Sequence, residues 1–183
     1  MKPVAAIVVA ALLLIIVSAL PSAQPQIPSG RDVVAPSAYV SLEPVARGGS
    51  FQLAVVLKIR PGFHINARKP SADYLIPTDL RANFPAGFKS AGEISYPKGG
   101  LRTFAFSKTP LNVYEDKVIL RVPVTALPDA PLGTQHIPLK LRYQACSNEV
   151  CLPPVTLDVD APVTVAASAA GSRPAHPELF PTQ

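Results

Sequence analysis

Four runs in this chain place an apolar side chain at every second position, and that spacing limits the fold more than any other feature. Phe51, Leu53, Val55, Leu57 and Ile59 alternate with Gln52, Ala54, Val56, Lys58 and Arg60. The same period runs through Val118, Leu120, Val122 and Val124, through Ile137, Leu139, Leu141 and Tyr143, and through Val155, Leu157 and Val159. Successive side chains of an extended strand point to opposite faces, so each run offers one face to a core and one to water. Shorter candidates lie at 39–43, 80–84 and 89–96. Turn signals separate them all: Arg47-Gly48-Gly49, Pro61-Gly62, Pro85-Ala86-Gly87, Lys98-Gly99-Gly100 and Pro131-Leu132-Gly133. No segment here keeps a helical period. About seven short strands with frequent turns predict an all-β, immunoglobulin-like antiparallel β-sandwich. Pro123 and Pro138 interrupt two of the runs, and proline has no N–H for the ladder. Both are expected on edge strands or at bulges.

Composition removes several alternatives. With 22 Pro and only 16% charged residues among 183, the chain is not a coiled coil. Its 48% hydrophobic content is enough for a core, which argues against disorder. The net charge of +5 is spread along the chain rather than clustered, so nucleic-acid binding is not expected.

Residues 1–23 carry one Lys, an apolar run from Pro3 to Val17, and small residues at Ser18, Ala19, Ser22 and Ala23. This is the pattern of a secretory signal peptide, with an uncleaved membrane anchor as the alternative. Either places the rest of the chain in the periplasm or otherwise outside the cytoplasm. A Pro- and Ser-containing linker is expected over 24–36, the folded domain over 37–165, and a disordered tail over 166–183.

The two Cys, Cys146 and Cys151, have four residues between them and sit between two strand runs. An exported chain is expected to join them as a disulfide. So small a ring constrains the unfolded chain by only about 2–3 kcal/mol. Two readings follow: a structural clip on a hairpin, or a bond that opens and closes in exchange chemistry. A zinc site needs about four ligands at set spacings, and His64, His136 and His176 have no such spacing to the Cys. No metal and no cofactor is expected.

The stretch Tyr143-Gln144-Ala145-Cys146-Ser147-Asn148-Glu149-Val150-Cys151-Leu152-Pro153-Pro154 resembles the N-terminal periplasmic domain of the thiol:disulfide interchange protein DsbD. That family carries Tyr-Gln-x-Cys, a short loop and Cys-x-Pro-Pro. Segments 62–70 and 113–124 are similar to two further parts of the family, so the resemblance spans roughly 37–165.

The resemblance implies an immunoglobulin-like fold and a redox pair, in which Cys151 forms the mixed disulfide with partners and Cys146 resolves it. It implies thioredoxin-fold partners: disulfide isomerases, thioredoxin-like proteins of cytochrome c maturation, and a DsbD-type C-terminal domain or transmembrane electron donor acting in trans. The alternative is a non-enzymatic β-sandwich binding module with a structural disulfide. The family also implies an aromatic cap loop, matched here by 101–108. Phe106 aligns best as the shield and Phe104 second, with core positions as the alternative for both. Arg102 and Lys108 stand where well-known members have acidic residues. Residues expected near the pair are His64 and Asn66, Glu149 between the Cys, and Pro153 after them. A His beside a thiol lowers its pKa and adds pH dependence; a satisfied turn histidine is the plainer reading.

Overall fold

The computed structural model describes residues 28–180, and the expected signal segment at 1–23 lies outside them. After a 3-10 turn at Gly30–Asp32 come β1 (Val34–Val40), β2 (Leu42–Glu43), β3 (Val45–Ala46) and β4 (Ser50–Ile59). Five short strands follow: β5 (His64–Asn66), β6 (Asp79–Ala82), β7 (Phe88–Ser90), β8 (Gly100–Arg102) and β9 (Leu111–Tyr114). Then come β10 (Lys117–Ala126), β11 (Gly133–Tyr143), β12 (Ala145–Cys146), β13 (Val155–Ala166) and β14 (Arg173–Pro174). Among the described residues no helix is long and apolar enough to cross a membrane.

Two four-stranded sheets make the sandwich, in the orders β1-β4-β10-β7 and β3-β13-β11-β6. Within them only β3 and β13 pair in parallel. Leu53, Val55, Leu57, Leu120 and Val122 from one sheet share a single core with Ile137, Leu139, Leu141 and Val159 from the other. The fold is all-β and immunoglobulin-like. A third sheet, β12-β5-β9-β8, carries Cys146.

In β10, β11 and β13 buried positions alternate with more open ones as the two-residue period requires. β4 departs from it: Ala54 and Val56, read as facing water, are buried. The cover is the segment over 167–180, which is folded where a disordered tail was expected; residues 181–183 lie outside the described residues. β14 pairs with β2, and Leu179 packs against Ala54 and Val56 with Tyr39, Ile119 and Phe180 around it. Arg121 Nε donates to the Leu179 carbonyl at 2.9 Å. One apolar anchor and a few backbone bonds hold this strap, which is why no periodicity announces it. Leu179→Ala is expected to cost about 2 kcal/mol in urea unfolding, at the low end for buried Leu because the site lies near the surface. Thiol exchange is expected to stay unchanged.

Of the linker expected over 24–36, residues 24–27 lie outside the described residues, and the part from Ser29 onward is structured. Ser29 Oγ accepts from the Arg31 N–H and caps the first turn. Val33 and Val34 are core residues, and β1 pairs with β4 from Val34↔Ile59 onward. Burying two adjacent apolar residues outweighs the loop-forming Ser and Pro around them.

Pro123 and Pro138 lie on internal strands, not edges, since β10 runs between β4 and β7 and β11 between β13 and β6. The short neighbours explain it. β7 pairs with β10 only from Val124, and β6 with β11 only from Leu139. The carbonyls of both prolines point to that short-strand side, accepting from Ala91 and Asn83. Each proline nitrogen therefore faces a place where the partner strand has already ended, and no ladder bond is lost.

Candidate functional site

β12 pairs with β5 so that Cys146 stands opposite His64. Cys151 is the antiparallel bridge partner of Cys146 across the hairpin. On one side of this pair the Ser147 N–H donates to the Val150 carbonyl at 2.9 Å; on the other, the Leu152 N–H donates to Ala145 at 2.8 Å. The Cys therefore form a non-hydrogen-bonded pair, the arrangement that brings opposite side chains closest. Their Cα atoms are 3.9 Å apart and the sulfurs are joined. Ser147 Oγ also accepts the N–H groups of Glu149 at 3.2 Å and Val150 at 3.1 Å. Backbone and hydroxyl bonds thus close the turn alongside the S–S bond.

The two Cys differ in exposure. Cys146 is 1% exposed, while Cys151 is half-buried between exposed Val150 and buried Leu152. Glu149 lies exposed on the turn. Pro153 is exposed too, and its carbonyl sits against the N-terminal turn: a Cβ at Gly30 would come within 3.1 Å of it. Tyr143 Oη donates to the Gly30 carbonyl at 2.7 Å, and Arg31 donates to Thr156 at 2.9 Å. The segment read as a linker thus braces the chain just after Cys151. Tyr143 is fully buried, which pushes its phenol up to about 12.

Asn66 is buried beneath the hairpin. Its Nδ2 donates to the Ile76 carbonyl at 3.0 Å and to Gln144 Oε1 at 3.5 Å. Gln144 Nε2 in turn donates to the Leu152 carbonyl at 3.3 Å. Gln144 was visible only as part of the Cys motif; its bracing contact depends on a loop remote in sequence.

His64 is buried in a stack of aromatic rings. Phe104 lies on it with centroids 3.9 Å apart; Phe106 lies to the side, 5.4 Å from Phe104 and 6.4 Å from His64, with all three rings nearly parallel. Phe104 is buried with Leu75, Leu111 and Val113, whereas Phe106 is 41% exposed. The ring placed second from the sequence is the buried one. Arg102 is paired with Glu115, Nε to Oε2 at 2.7 Å, and Lys108 is exposed.

Burial holds the His64 imidazole down at about 4, against a smaller opposing pull from the Glu115 carboxylate. The unfolded ring titrates near 6.5, so between those values the unfolded chain binds the extra proton. Stability contributed by neutral His64 is present above pH 6.5 and is lost as pH falls toward 4. At about 1.4 kcal/mol per pH unit the window is worth on the order of 3 kcal/mol. Urea unfolding of the oxidised domain at pH 7 and at pH 4.5 is expected to show this slope, and His64→Leu to flatten it.

A cleft whose lining includes Arg68, Asp79, Glu93, Tyr96, Lys98 and Tyr114 contains neither Cys. Its charges are partly paired internally, with Arg68 3.0 Å from Asp79 and 5.2 Å from the Tyr96 ring centre.

A β-sandwich that presents a hairpin disulfide beside buried aromatic rings has the parts of a thiol–disulfide exchange module. The chain belongs to the family described as Thiol:disulfide interchange protein DsbD, N-terminal, which matches residues 31–162. Among solved structures it is similar to the Neisseria meningitidis DsbD N-terminal domain in the reduced form. That likeness has 18% identity and a TM-score of 0.47, covering 81% of this chain and 95% of that one. It is also similar to the N-terminal periplasmic domain of ScsB from Proteus mirabilis, at 15% identity and a TM-score of 0.43. That match covers 70% of this chain and 46% of that one. A comparison with curated proteins gave no match.

Proposed function

We propose that this domain relays electrons outside the cytoplasm, taking them from a thioredoxin-like donor and passing them to thioredoxin-fold acceptors through Cys146 and Cys151. The observation that carries this reading is the hairpin itself. Hydrogen bonds on both sides of the disulfide hold the turn, so the S–S bond opens without unmaking the loop. A structural clip would be needed most where nothing else closed the turn.

Exchange proceeds by attack of a thiolate on one sulfur through a mixed disulfide. Cys151 is the more accessible residue and takes the partner; buried Cys146 resolves the adduct. Phe104 and Phe106 cover the His64 side of the site, and exposed Val150 and Phe106 offer apolar contact to an incoming partner. Asn66 and Gln144 fix Leu152, while Pro153 rests on the Gly30 turn, so the backbone beside Cys151 is held as sulfurs exchange. The family supports a periplasmic location and thioredoxin-fold partners. Disulfide isomerases and thioredoxin-like proteins of cytochrome c maturation are proposed as acceptors, and a DsbD-type C-terminal or transmembrane domain in trans as donor.

The test is direct transfer. Oxidised domain mixed with a reduced thioredoxin-like protein is expected to gain two alkylatable thiols within seconds to minutes. A disulfide that stays closed against excess donor, yet opens once the domain is unfolded, sinks the relay.

A further inference from the structure

His64 is 2% exposed, and its Nε2 has no hydrogen-bond partner while the disulfide is closed. A buried polar nitrogen left unpaired is costly, and such an atom calls for an explanation. The surroundings narrow what its partner is. Phe104 lies flat on the ring and closes that face with carbon. In the β5–β12 register His64 and Cys146 are direct partners, so their side chains lie next to each other on one face of the sheet. A disulfide sulfur has no hydrogen to donate; a thiol sulfur has one.

We propose that reduction supplies the missing partner: in the dithiol form the Cys146 thiol donates to His64 Nε2, so that His64 stabilises the reduced domain and raises its reduction potential. This rests on the relay reading above. The balance is simple. A donor dithiol gives two electrons and two protons and leaves as a disulfide. The Cys146–Cys151 bond breaks, one proton ends on Cys151 and the other on Cys146, where it points at Nε2. For Nε2 to accept, the ring must carry its own proton on Nδ1 and stay neutral, in keeping with burial that disfavours the imidazolium. His64 is a positioning residue here, since it acts through Cys146.

His64→Phe keeps a ring to stack on Phe104 and removes the nitrogen. Equilibrated against a reference dithiol, this variant is expected to shift threefold to tenfold toward the disulfide, tenfold being about 30 mV. In the unaltered protein the 15N resonance of His64 Nε2 is expected to move on reduction while Nδ1 stays protonated. That measurement needs no variant to fold. An unshifted equilibrium in folded His64→Phe, or an Nε2 resonance that ignores the redox state, overturns the assignment while leaving the relay standing. A disulfide in the unaltered domain that no thioredoxin-like dithiol reduces overturns both.

Discussion

Cys151→Ser is expected to bring exchange with a thioredoxin-fold protein down to background, and Cys146→Ser to halt the same reaction one step later. The difference follows from burial. In Cys151→Ser the remaining sulfur belongs to a residue 1% exposed, beside His64 on β5, and a partner cannot reach it. In Cys146→Ser the remaining sulfur sits on the half-buried arm of the hairpin and attacks the partner's disulfide. No second thiol is then present to resolve the adduct, so the mixed disulfide accumulates. Non-reducing gels and mass spectrometry of the two variants, each mixed with an oxidised thioredoxin-fold acceptor, read the outcome. An adduct on Cys146 in Cys151→Ser, with none on Cys151 in the other variant, reverses the assigned roles.

Phe104→Ala is expected to have the second-largest effect, on two readouts. Phe104 is the ring that lies directly on His64 and part of a small core with Leu75, Leu111 and Val113. Emptying a buried Phe site typically costs about 3–5 kcal/mol, and the lower figure suits a cluster this small. The same change uncovers His64 and, through it, the Cys146 side of the disulfide. Reduction by a small thiol such as dithiothreitol is expected to speed up by about tenfold, corresponding to a barrier lowered by about 1.4 kcal/mol. Phe106, being 41% exposed, is expected to tolerate Ala within about 0.5 kcal/mol and to change the small-thiol rate little. Urea unfolding and stopped-flow reduction of both variants separate the two rings. If Phe106→Ala accelerates reduction and Phe104→Ala does not, the outer ring is the shield.

Much of the sandwich was legible because its long strands each turn one face to the core and one to water. β10, β11 and β13 obey that rule along their length. β4 breaks it at Ala54 and Val56, whose cover comes from Leu179, more than a hundred residues away in sequence. A single anchoring Leu in a Pro-rich segment leaves no periodic trace, and so the tail read as disordered. The start of the fold was hidden for the opposite reason. Val33 and Val34 are core residues, but Ser29, Gly30 and Pro36 around them carry the composition of a linker. The strand expected at 89–96 ends at Ser90, after which only Ser95 bridges to Arg121.

The site divides along the same line. The Cys hairpin was readable because every contact that closes it lies within residues 145–152. Its surroundings were not. His64, Phe104 and Cys146 meet only because β5 pairs with β12 and the loop between β8 and β9 folds back over them. Pairing between strands so distant in sequence is set by the tertiary fold, so the sequence offered His64 and both Phe as candidates without saying which ring would lie on the imidazole.

The reduction potential of the Cys146–Cys151 pair tests the central claim most directly, measured on the purified domain by thiol alkylation across a series of redox buffers. A relay predicts a value between about −120 and −270 mV, the range of proteins that exchange disulfides. A value below about −300 mV is that of a structural bond and contradicts the relay.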